Sequence, residues 1–263
     1  MWFATLASAA LLSWAVGWWA AHRSPRLGRL AVVVGLAWLG VWVALQYRPD
    51  VAVMLIPVAL LARLEGTGAV PGFMLIVGAA MSAAALPRQR VLARVSTAVG
   101  AAFFAYGGMW MLQPEPTLGA PTRQEGRVLQ STDYTCVAAA TATALGMVGV
   151  ETTEDEMVGL TGTRPIAGST LVRAYDGVTR KLEGRATRAV LLSAEVDDLA
   201  TLPTPMLTSL RLGQASRHMV VVLDATGENV HLFDPSIGDR WIPRADFDVA
   251  YVGQVIVLAP RGG

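Results

Sequence analysis

Long apolar runs alternate with short arginine-bearing stretches over the first 114 residues. Four of these runs lack charged residues for long enough to cross about 30 Å of hydrocarbon as α-helices. They are Met1–Ala21, Leu30–Tyr47, Gly66–Pro87 and Val95–Pro114. Tryptophans near the ends of the runs fit the preference of amphipathic rings for the membrane interface. The pattern therefore predicts an α-helical transmembrane region with about four spans.

A fifth apolar run, Val51–Ala62, is too short to span a bilayer and contains Pro57. It is typical of a re-entrant or interfacial segment, or of a short helix. Two clusters of arginine mark loops as cytoplasmic. They are Arg23, Arg26 and Arg29, and Arg88, Arg90 and Arg94. Four spans then place the C-terminal half outside the cytoplasm and five place it inside; we expect four, in the inner membrane of a bacterium.

The pattern changes after "QPEPTLGAPTRQEG", a segment rich in proline, glycine and polar residues that is typical of a linker. We divide the chain into a membrane region at 1–114, a linker at 115–126 and a folded domain at 127–263. Within the domain, helices are predicted at about 136–147, 154–160 and 170–182. Strands are predicted at 186–192, 205–211, 218–224, 229–234 and 251–258. Helices followed by antiparallel strands predict an α+β domain.

Composition and charge support two unlike halves. The chain is 53% hydrophobic, and its net charge of +1 combines a basic N-terminal half with an acidic C-terminal half. Neither half is basic enough to indicate nucleic-acid binding. The sequence contains a single lysine, Lys181, and no phosphate-binding loop, which excludes a complete ATP-driven transporter. A single cysteine, Cys136, excludes an intramolecular disulfide.

A hairpin is predicted in "HMVVVLDATGENVHLFDPSIG", where two strand-like runs flank a turn-rich stretch. If the hairpin folds about Thr226, His218 lies opposite Asp234, with the side chains about 5 Å apart. A carboxylate in that position orients an imidazole, so we take this pair as candidate site residues. His231 would point to the opposite face, and we expect it to be a surface or packing residue.

Cys136 stands where a loop turns into an alanine-rich helix, "TCVAAATATAL". The positive end of a helix and its unpaired N–H groups stabilise the thiolate form of a cysteine. With an imidazole base and an orienting acid, the groups needed for covalent acyl transfer are complete. Gln130, just upstream, is a candidate donor to the developing oxyanion. No paired-ligand spacing indicates zinc, and we expect no metal and no cofactor.

These residues resemble the double-glycine leader peptidases, which are papain-like cysteine peptidases that process bacteriocin and other secreted-peptide precursors. The resemblance rests on the five-residue interval from Gln130 to Cys136, on "RHMVVVLD" and on "FDPSIG", and covers residues 124–263. It implies an α+β papain-like peptidase domain. It also implies Cys136 as nucleophile, His218 as general base, Asp234 as the group that orients His218, and Gln130 as oxyanion donor.

Two positions beside the nucleophile differ from the family pattern, since Thr135 and Val137 stand where Asp and Gly are usual. Our first hypothesis is a membrane-anchored cysteine peptidase that cleaves peptide or leader sequences after small residues such as Gly-Gly. The alternative is a catalytically inactive peptidase-fold module that binds a peptide, or a structural subunit of a membrane protein complex. A third hypothesis is another Cys-His-Asp acyl transferase. The expected partners are a peptide or protein substrate, the lipid bilayer and a further membrane protein, without nucleic acid.

Overall fold

The computed structural model describes residues 2–84, 86–111, 113–213 and 216–261, and it divides into two compact units. The first unit comprises residues 2–48 and 63–111. The second comprises residues 49–62 and the chain from Gln113 onward. The positions outside the described residues are Met1, Ala85 and Leu112, in the first, third and fourth predicted spans, and Gln214, Ala215, Gly262 and Gly263, in the predicted domain.

Helices make up the N-terminal half of the chain. In order they are α1 (Trp2–Arg23), α2 (Pro25–Tyr47), α3 (Pro49–Leu55), α4 (Val58–Leu64), α5 (Val70–Ala83) and α6 (Pro87–Met111). Ser24 separates the first two, because its side chain accepts the N–H of Leu27 and so caps the start of α2. Pro25 stands at the beginning of α2, where its missing N–H costs nothing.

The prediction of about four membrane spans is not confirmed. Among the described residues, two helices, α1 and α2, are long and apolar enough to cross a membrane. The predicted third span contains α5, a helix of only 14 residues. At 1.5 Å per residue such a helix reaches about 21 Å, which is less than the hydrocarbon thickness. The length of an uncharged run therefore overestimated the length of the helix inside it.

Helix α5 packs against both α1 and α2 in the first unit. At Gly78 its backbone lies so close to α1 that a Cβ atom would overlap the carbonyl oxygen of Trp14. A Cβ at Gly72 would likewise overlap the side chain of Trp38 on α2. Small residues at these positions let the helices approach closely, which is the usual basis of helix association in lipid.

The short apolar run at 51–62 forms α3 and the first part of α4, with a break at Ile56 and Pro57. Proline cannot donate an N–H within a helix, so the chain turns there. This segment belongs to the second unit. In that unit Ala52 is fully buried and Val53 packs against a hydrophobic core.

The second unit contains the remaining elements. They are β1 (Thr122–Gln124), β2 (Arg127–Leu129), α7 (Cys136–Met147), α8 (Glu154–Thr161), α9 (Leu171–Lys181), β3 (Thr187–Ser193), a 3₁₀ turn (Asp198–Thr201), β4 (Met206–Leu212), β5 (Ser216–Asp224), β6 (Asn229–Asp234), β7 (Gly238–Pro243), α10 (Arg244–Ala250) and β8 (Tyr251–Pro260). Strands β3 to β8 form one antiparallel sheet in the order β3-β8-β4-β5-β6-β7. The α+β prediction with an antiparallel sheet is confirmed.

The second unit also contains elements that were not predicted, among them α10, the 3₁₀ turn, a hairpin and a sixth strand of the large sheet. Strands β1 and β2 form a hairpin at the end of the predicted linker, where Glu125 and Gly126 turn the chain with positive φ angles. Strand β7, "GDRWIP", continues the sheet beyond β6 and begins opposite Asp234. Its exposed and charged side chains obscure the apolar alternation that marks a strand in the sequence.

Hydrophobic cores cover both faces of the large sheet. Alanine-rich α7 packs on one face, against residues that include Val221 and Phe233. The other face carries Val222 and Leu232 together with Phe247 of α10. Successive residues of β5 and β6 thus enter opposite cores, as the period of two in a strand requires. The burial of both faces holds the ends of β5 and β6 in a defined place.

Candidate active site

Cys136 is the first residue of α7, and its side chain is half-buried. The preceding Thr135 is buried, and its hydroxyl donates to the carbonyl oxygen of Thr132 at 3.0 Å and accepts the Thr132 N–H at 3.2 Å. The hydroxyl is thus directed into the loop rather than towards the N–H groups of the first helical turn. Those N–H groups and the helix dipole face the thiol with partial positive charge.

Val137 follows the nucleophile candidate, where its β-branched side chain differs from the glycine of the related pattern. It is 3% exposed and belongs to the hydrophobic core on the α7 face of the sheet. The protein interior therefore accommodates this side chain.

His218 and Asp234 meet at one end of the sheet, where β5 begins and β6 ends. The Nε2 atom of His218 lies 2.7 Å from Oδ1 of Asp234. The predicted register was wrong: β5 and β6 pair Val221 with Phe233 and Val222 with Leu232. In this register position 234 lies opposite position 220, two residues from His218. A displacement by two keeps both side chains on one face, where diagonal neighbours remain within reach of each other.

The Cys136 side chain lies next to that of His218 and is one of the groups that act on the His218 pKa. Since Nε2 is taken by Asp234, the other ring nitrogen, Nδ1, is the one available to the thiol. Burial lowers the pKa of His218, but the hydrogen bonds and charges of Asp234 and Cys136 outweigh burial and raise it from 6.5 to about 9. The imidazole is consequently protonated at neutral pH, and it presents its positive charge beside the Cys136 side chain.

Asp234 accepts several hydrogen bonds on one oxygen. Besides His218, the hydroxyl of Ser236 donates to Oδ1 at 2.5 Å and the Ser236 N–H donates at 2.9 Å. Oδ2 lies 3.6 Å from a guanidinium nitrogen of Arg240. Burial raises the pKa of Asp234, but the hydrogen bonds from His218 and Ser236 prevail and lower it from 3.8 to about 2. The carboxylate is therefore ionised and held in one orientation.

Gln130 lies in the loop between β2 and α7, beside the residue that follows Asp234. Its backbone N–H donates to the carbonyl oxygen of Pro235 at 2.8 Å. Its side-chain Nε2 donates to the carbonyl oxygen of Thr132 at 3.0 Å, while Oε1 is buried with no hydrogen-bond partner among the described residues. One hydrogen of the amide NH₂ group is thus used within the loop that leads to Cys136, and the second remains for another acceptor.

The structure accordingly brings His218 together with both Asp234 and Cys136, and it places Gln130 beside Pro235. His231 lies elsewhere: its ring stacks on Trp241, with centroids 4.2 Å apart, and its Nε2 lies 3.1 Å from Oδ1 of Asp239. Among the described residues, no group of three or more His, Cys, Asp or Glu side chains is arranged to hold a metal ion.

Two residues at the site were missed in the sequence. Ser236 follows Asp234 by two positions, and Asp-x-Ser is a common turn in which the Asp side chain accepts the later N–H. That signal was present in "FDPSIG". Glu154 is buried and binds the N–H of Ser131 at 2.9 Å. Its burial has no local signal, because the adjacent acids in the same helical turn are exposed.

Chemically, the site is a thiol in contact with an imidazole that a carboxylate orients. These are the groups that serve in nucleophilic acyl transfer, in which the thiolate attacks a carbonyl carbon and the imidazole moves the proton. The thiol also stands at the start of a helix, where backbone N–H groups can stabilise a negative oxygen.

Comparison with known proteins gives a family match over the same part of the chain. The sequence model of the Peptidase C39 family matches residues 125–262. An uncharacterized protein of Methanothermobacter marburgensis is 34% identical over 131 residues, which are 50% of this chain and 86% of the relative. An uncharacterized protein of Methanothermobacter thermautotrophicus is 32% identical, with the same coverage of both chains.

Solved structures are also similar to about half of the chain. The peptidase domain of Streptococcus ComA, a bi-functional ABC transporter involved in a quorum sensing pathway, is 19% identical. The match covers 51% of this chain and 96% of that domain, with a TM-score of 0.45. A double glycine motif protease from an AMS/PCAT transporter, in complex with the leader peptide, is 20% identical. That match covers 54% of this chain and 100% of the protease, with a TM-score of 0.44.

Proposed function

Since this chain belongs to the Peptidase C39 family, we propose that its C-terminal half is a cysteine peptidase with Cys136 as nucleophile. The observation that carries the proposal is the contact of His218 with both Cys136 and Asp234. Residues far apart in the sequence meet there in the order thiol, imidazole, carboxylate. A module that only binds peptides has no need of that order.

In the first half of the reaction, the Cys136 thiolate attacks the carbonyl carbon of the scissile peptide bond. A tetrahedral intermediate forms, with a new S–C bond and negative charge on the former carbonyl oxygen. His218, as imidazolium, then donates its proton to the leaving nitrogen while the C–N bond breaks. The amine product departs, and the acyl group remains as a thioester on Cys136.

In the second half, water attacks the thioester carbon. His218, now neutral, takes a proton from that water as general base, and the S–C bond breaks to release a carboxylic acid. Cys136 leaves as thiolate, and the thiolate–imidazolium pair is restored. Asp234 keeps the ring oriented and stabilises its charge without accepting the proton itself.

We propose that the Gln130 side chain donates a hydrogen bond to the oxyanion of the tetrahedral intermediate. Its Nε2 group carries a second hydrogen beyond the one bonded to Thr132, and the N–H groups at the start of α7 are further donors. Donors that are fixed before the reaction stabilise the charge as it develops, and removal of one costs a factor of about 10² to 10³ in kcat.

The substrate we propose is a peptide or leader sequence cleaved after small residues such as Gly-Gly. This rests on the resemblance of the Gln-to-Cys interval and the "FDPSIG" motif to double-glycine leader peptidases. We propose further that α1 and α2 anchor the enzyme in a membrane. Large apolar side chains such as Leu11, Trp19 and Val33 are exposed on these two helices, as they are on helices surrounded by lipid.

If the arginine-bearing segment between α1 and α2 is cytoplasmic and α2 is the last crossing, the peptidase lies on the outer side of the membrane. Arg88, Arg90 and Arg94 then lie outside as well, unlike in the four-span prediction. Cys136 is the single cysteine of the chain, so its labelling reports the side directly. We expect a membrane-impermeant maleimide to label it in intact cells. Labelling only after the membrane is opened would place the domain in the cytoplasm.

The test of the function uses the full chain in detergent with synthetic peptides that carry Gly-Gly between a leader-like segment and a cargo segment. Mass spectrometry follows the products, and brief acid quenching traps the acyl-enzyme on Cys136. We expect cleavage by the wild-type protein and none by Cys136→Ser. Binding of the peptides without Cys136-dependent cleavage would instead show an inactive binding module.

A further inference from the structure

Glu154 is a buried acid for which the proposed reaction has no use. It is the first residue of α8 and is 4% exposed, whereas Asp155 and Glu156 in the same turn are exposed. An acid in the first turn of a helix gains from the dipole without leaving water. The helix dipole therefore explains why three acids occur in this turn, but it does not explain why Glu154 is buried. Burial of a carboxylate is costly unless a hydrogen bond compensates it.

The compensating hydrogen bond comes from the loop that holds Gln130. Oε1 of Glu154 accepts the backbone N–H of Ser131 at 2.9 Å. The preceding N–H, that of Gln130 itself, donates to the carbonyl oxygen of Pro235 at 2.8 Å. Consecutive N–H groups are thus bound by two distant parts of the fold, one at the start of α8 and the other directly after Asp234.

The Gln130 N–H belongs to the peptide unit before Gln130 and the Ser131 N–H to the one after it, so these two bonds hold the peptide units on both sides of the Gln130 Cα atom. Together these peptide units determine where the Gln130 side chain begins, and the side-chain Nε2 is held in turn by the carbonyl oxygen of Thr132. The neighbouring strand β2 is also tied to α7, because the N–H of Val128 donates to Oγ1 of Thr143 at 2.9 Å. After Gln130, the loop is held by the bond from the Ser131 N–H to Glu154 and by the bond from the Gln130 side chain to Thr132. The first of these bonds has a buried carboxyl group as its acceptor.

We propose that Glu154 is a positioning residue for Gln130, which acts by holding the Ser131 N–H so that the Gln130 amide stays where it can donate to the oxyanion. This inference rests on the proposed peptidase function. Without the Glu154 carboxylate, the Ser131 N–H would lose its acceptor, and the loop would be free to rotate towards another one. A donor displaced by about 1 Å loses much of its effect on the transition state.

The test separates oxyanion binding from the reactivity of the thiol. N-acetyl-glycyl-glycinal, a peptide aldehyde, forms a reversible S–C bond with Cys136 and places its oxygen in the oxyanion position. Iodoacetamide instead alkylates Cys136 without forming an oxyanion. Both reactions are measured on the full chain in detergent. The variants are Glu154→Ala, Glu154→Gln, Gln130→Ala and the double variant with alanine at 130 and 154. Asp155→Ala, an exposed acid in the same turn, is the matched control.

We expect Glu154→Ala to weaken aldehyde binding about tenfold, with the alkylation rate unchanged. Glu154→Gln should retain wild-type binding, because its amide oxygen still accepts the Ser131 N–H. If Glu154 acts through Gln130, its replacement adds nothing once Gln130 is alanine, so the double variant should match Gln130→Ala. The Asp155→Ala control should behave as wild type.

An additive effect of the two alanine substitutions would overturn the inference, as would a parallel fall in the alkylation rate. Unchanged aldehyde binding by Glu154→Ala would overturn it as well. These results leave the peptidase proposal intact when the wild-type protein still cleaves peptides. A wild-type protein that neither cleaves nor binds the aldehyde at Cys136 would refute the proposed function, and this inference would fail with it.

Discussion

His218 and Asp234 form a 2.7 Å contact although they are not cross-strand partners. The pairing of β5 with β6 sets position 234 opposite position 220, and a bulge between Val222 and Asp224 shifts the register towards the turn. The two side chains can still meet because the residue opposite Asp234 is two positions away from His218, not one. A shift of one would have turned the carboxylate to the other face of the sheet, away from the imidazole.

The first prediction concerns the reactivity of Cys136. At about pH 6 the wild-type thiol should react with iodoacetamide at least about tenfold faster than in His218→Ala, because the protonated ring favours the thiolate beside it. Alkylation followed by intact-mass spectrometry across the pH range checks this. At high pH the two rates should converge, since an ordinary thiol ionises near pH 8.5.

His231→Ala is the matched control for this prediction. Its ring stacks on Trp241 and contacts Asp239, away from the thiol. The substitution should leave the alkylation profile of Cys136 unchanged. Equal profiles for wild type and His218→Ala would contradict an activated nucleophile.

The second prediction is a pH-dependent stability from the His218–Asp234 pair. The folded-state pKa of His218 is raised from 6.5 to about 9, so the stabilisation is complete below pH 6.5 and disappears as the pH rises through about 9. Its upper limit is about 3 kcal/mol. The pKa of Asp234 is lowered from 3.8 to about 2, so its contribution is present above pH 3.8 and is lost as the pH falls towards about 2.

The measurement compares the hydrogen exchange of β5 and β6 amides in wild type and in Asp234→Asn at each pH. The difference in protection between the two proteins should be largest between pH 3.8 and pH 6.5 and should shrink above pH 9. Asp239→Asn, an acid that contacts His231 instead, serves as the control. A difference that stays constant from pH 6 to 10 would show that the pair does not titrate as described.

The third prediction concerns Ser236, whose hydroxyl donates to Oδ1 of Asp234 at 2.5 Å. Ser236→Ala removes this donor and should raise the pKa of Asp234, so the acid limb of the pH–activity profile should move to higher pH. We expect kcat/KM to fall by about threefold to tenfold, since a hydrogen bond to a charged group is lost. Ser236→Thr should restore the wild-type profile, and the exposed Ser193→Ala should not alter it. A loss of activity at all pH values without movement of the acid limb would argue for a merely structural role.

The fourth prediction concerns Gly238, which is paired with Asp234 at the turn between β6 and β7. Its φ is +95°, and a Cβ atom there would overlap the side chain of Gln124. Gly238→Ala should destabilise the protein by about 1 to 2 kcal/mol, because an L-residue is strained at positive φ. Thermal unfolding checks this, with Gly227→Ala as control, since the nearest neighbour of a Cβ there is an ordinary 3.7 Å away. If Gly238→Ala and Gly227→Ala were equally stable, a side chain at position 238 would not be strained.

Local signals in the sequence were sufficient for most elements of the second unit. Helix α7 begins at Cys136 and ends at Met147 as predicted. Thr153 and Thr170 cap the next two helices through their side chains, in keeping with the usual preference for threonine at that position. These features depend on residues within about four positions of each other, so the sequence records them directly.

Features that depend on distant residues could not be obtained in this way. Helix α5 is shorter than the uncharged run that contains it, because where a helix begins and ends depends on packing as well as on charge. Strand β7 pairs with β6 although its own pattern is that of a surface segment. The burial of Glu154 follows from the approach of a loop 23 residues earlier in the chain.

The sequence by itself determined which chemical groups the site contains and which family the chain resembles, because the identity and spacing of Gln130, Cys136, His218 and Asp234 are properties of the chain. The tertiary structure decided how those groups meet. The β5–β6 register, the two acceptors that hold the Gln130 loop, and the raised pKa of His218 all arise from contacts between segments far apart in sequence. Hydrogen bonds and burial act over a few ångströms in space, so only the folded chain brings them into effect.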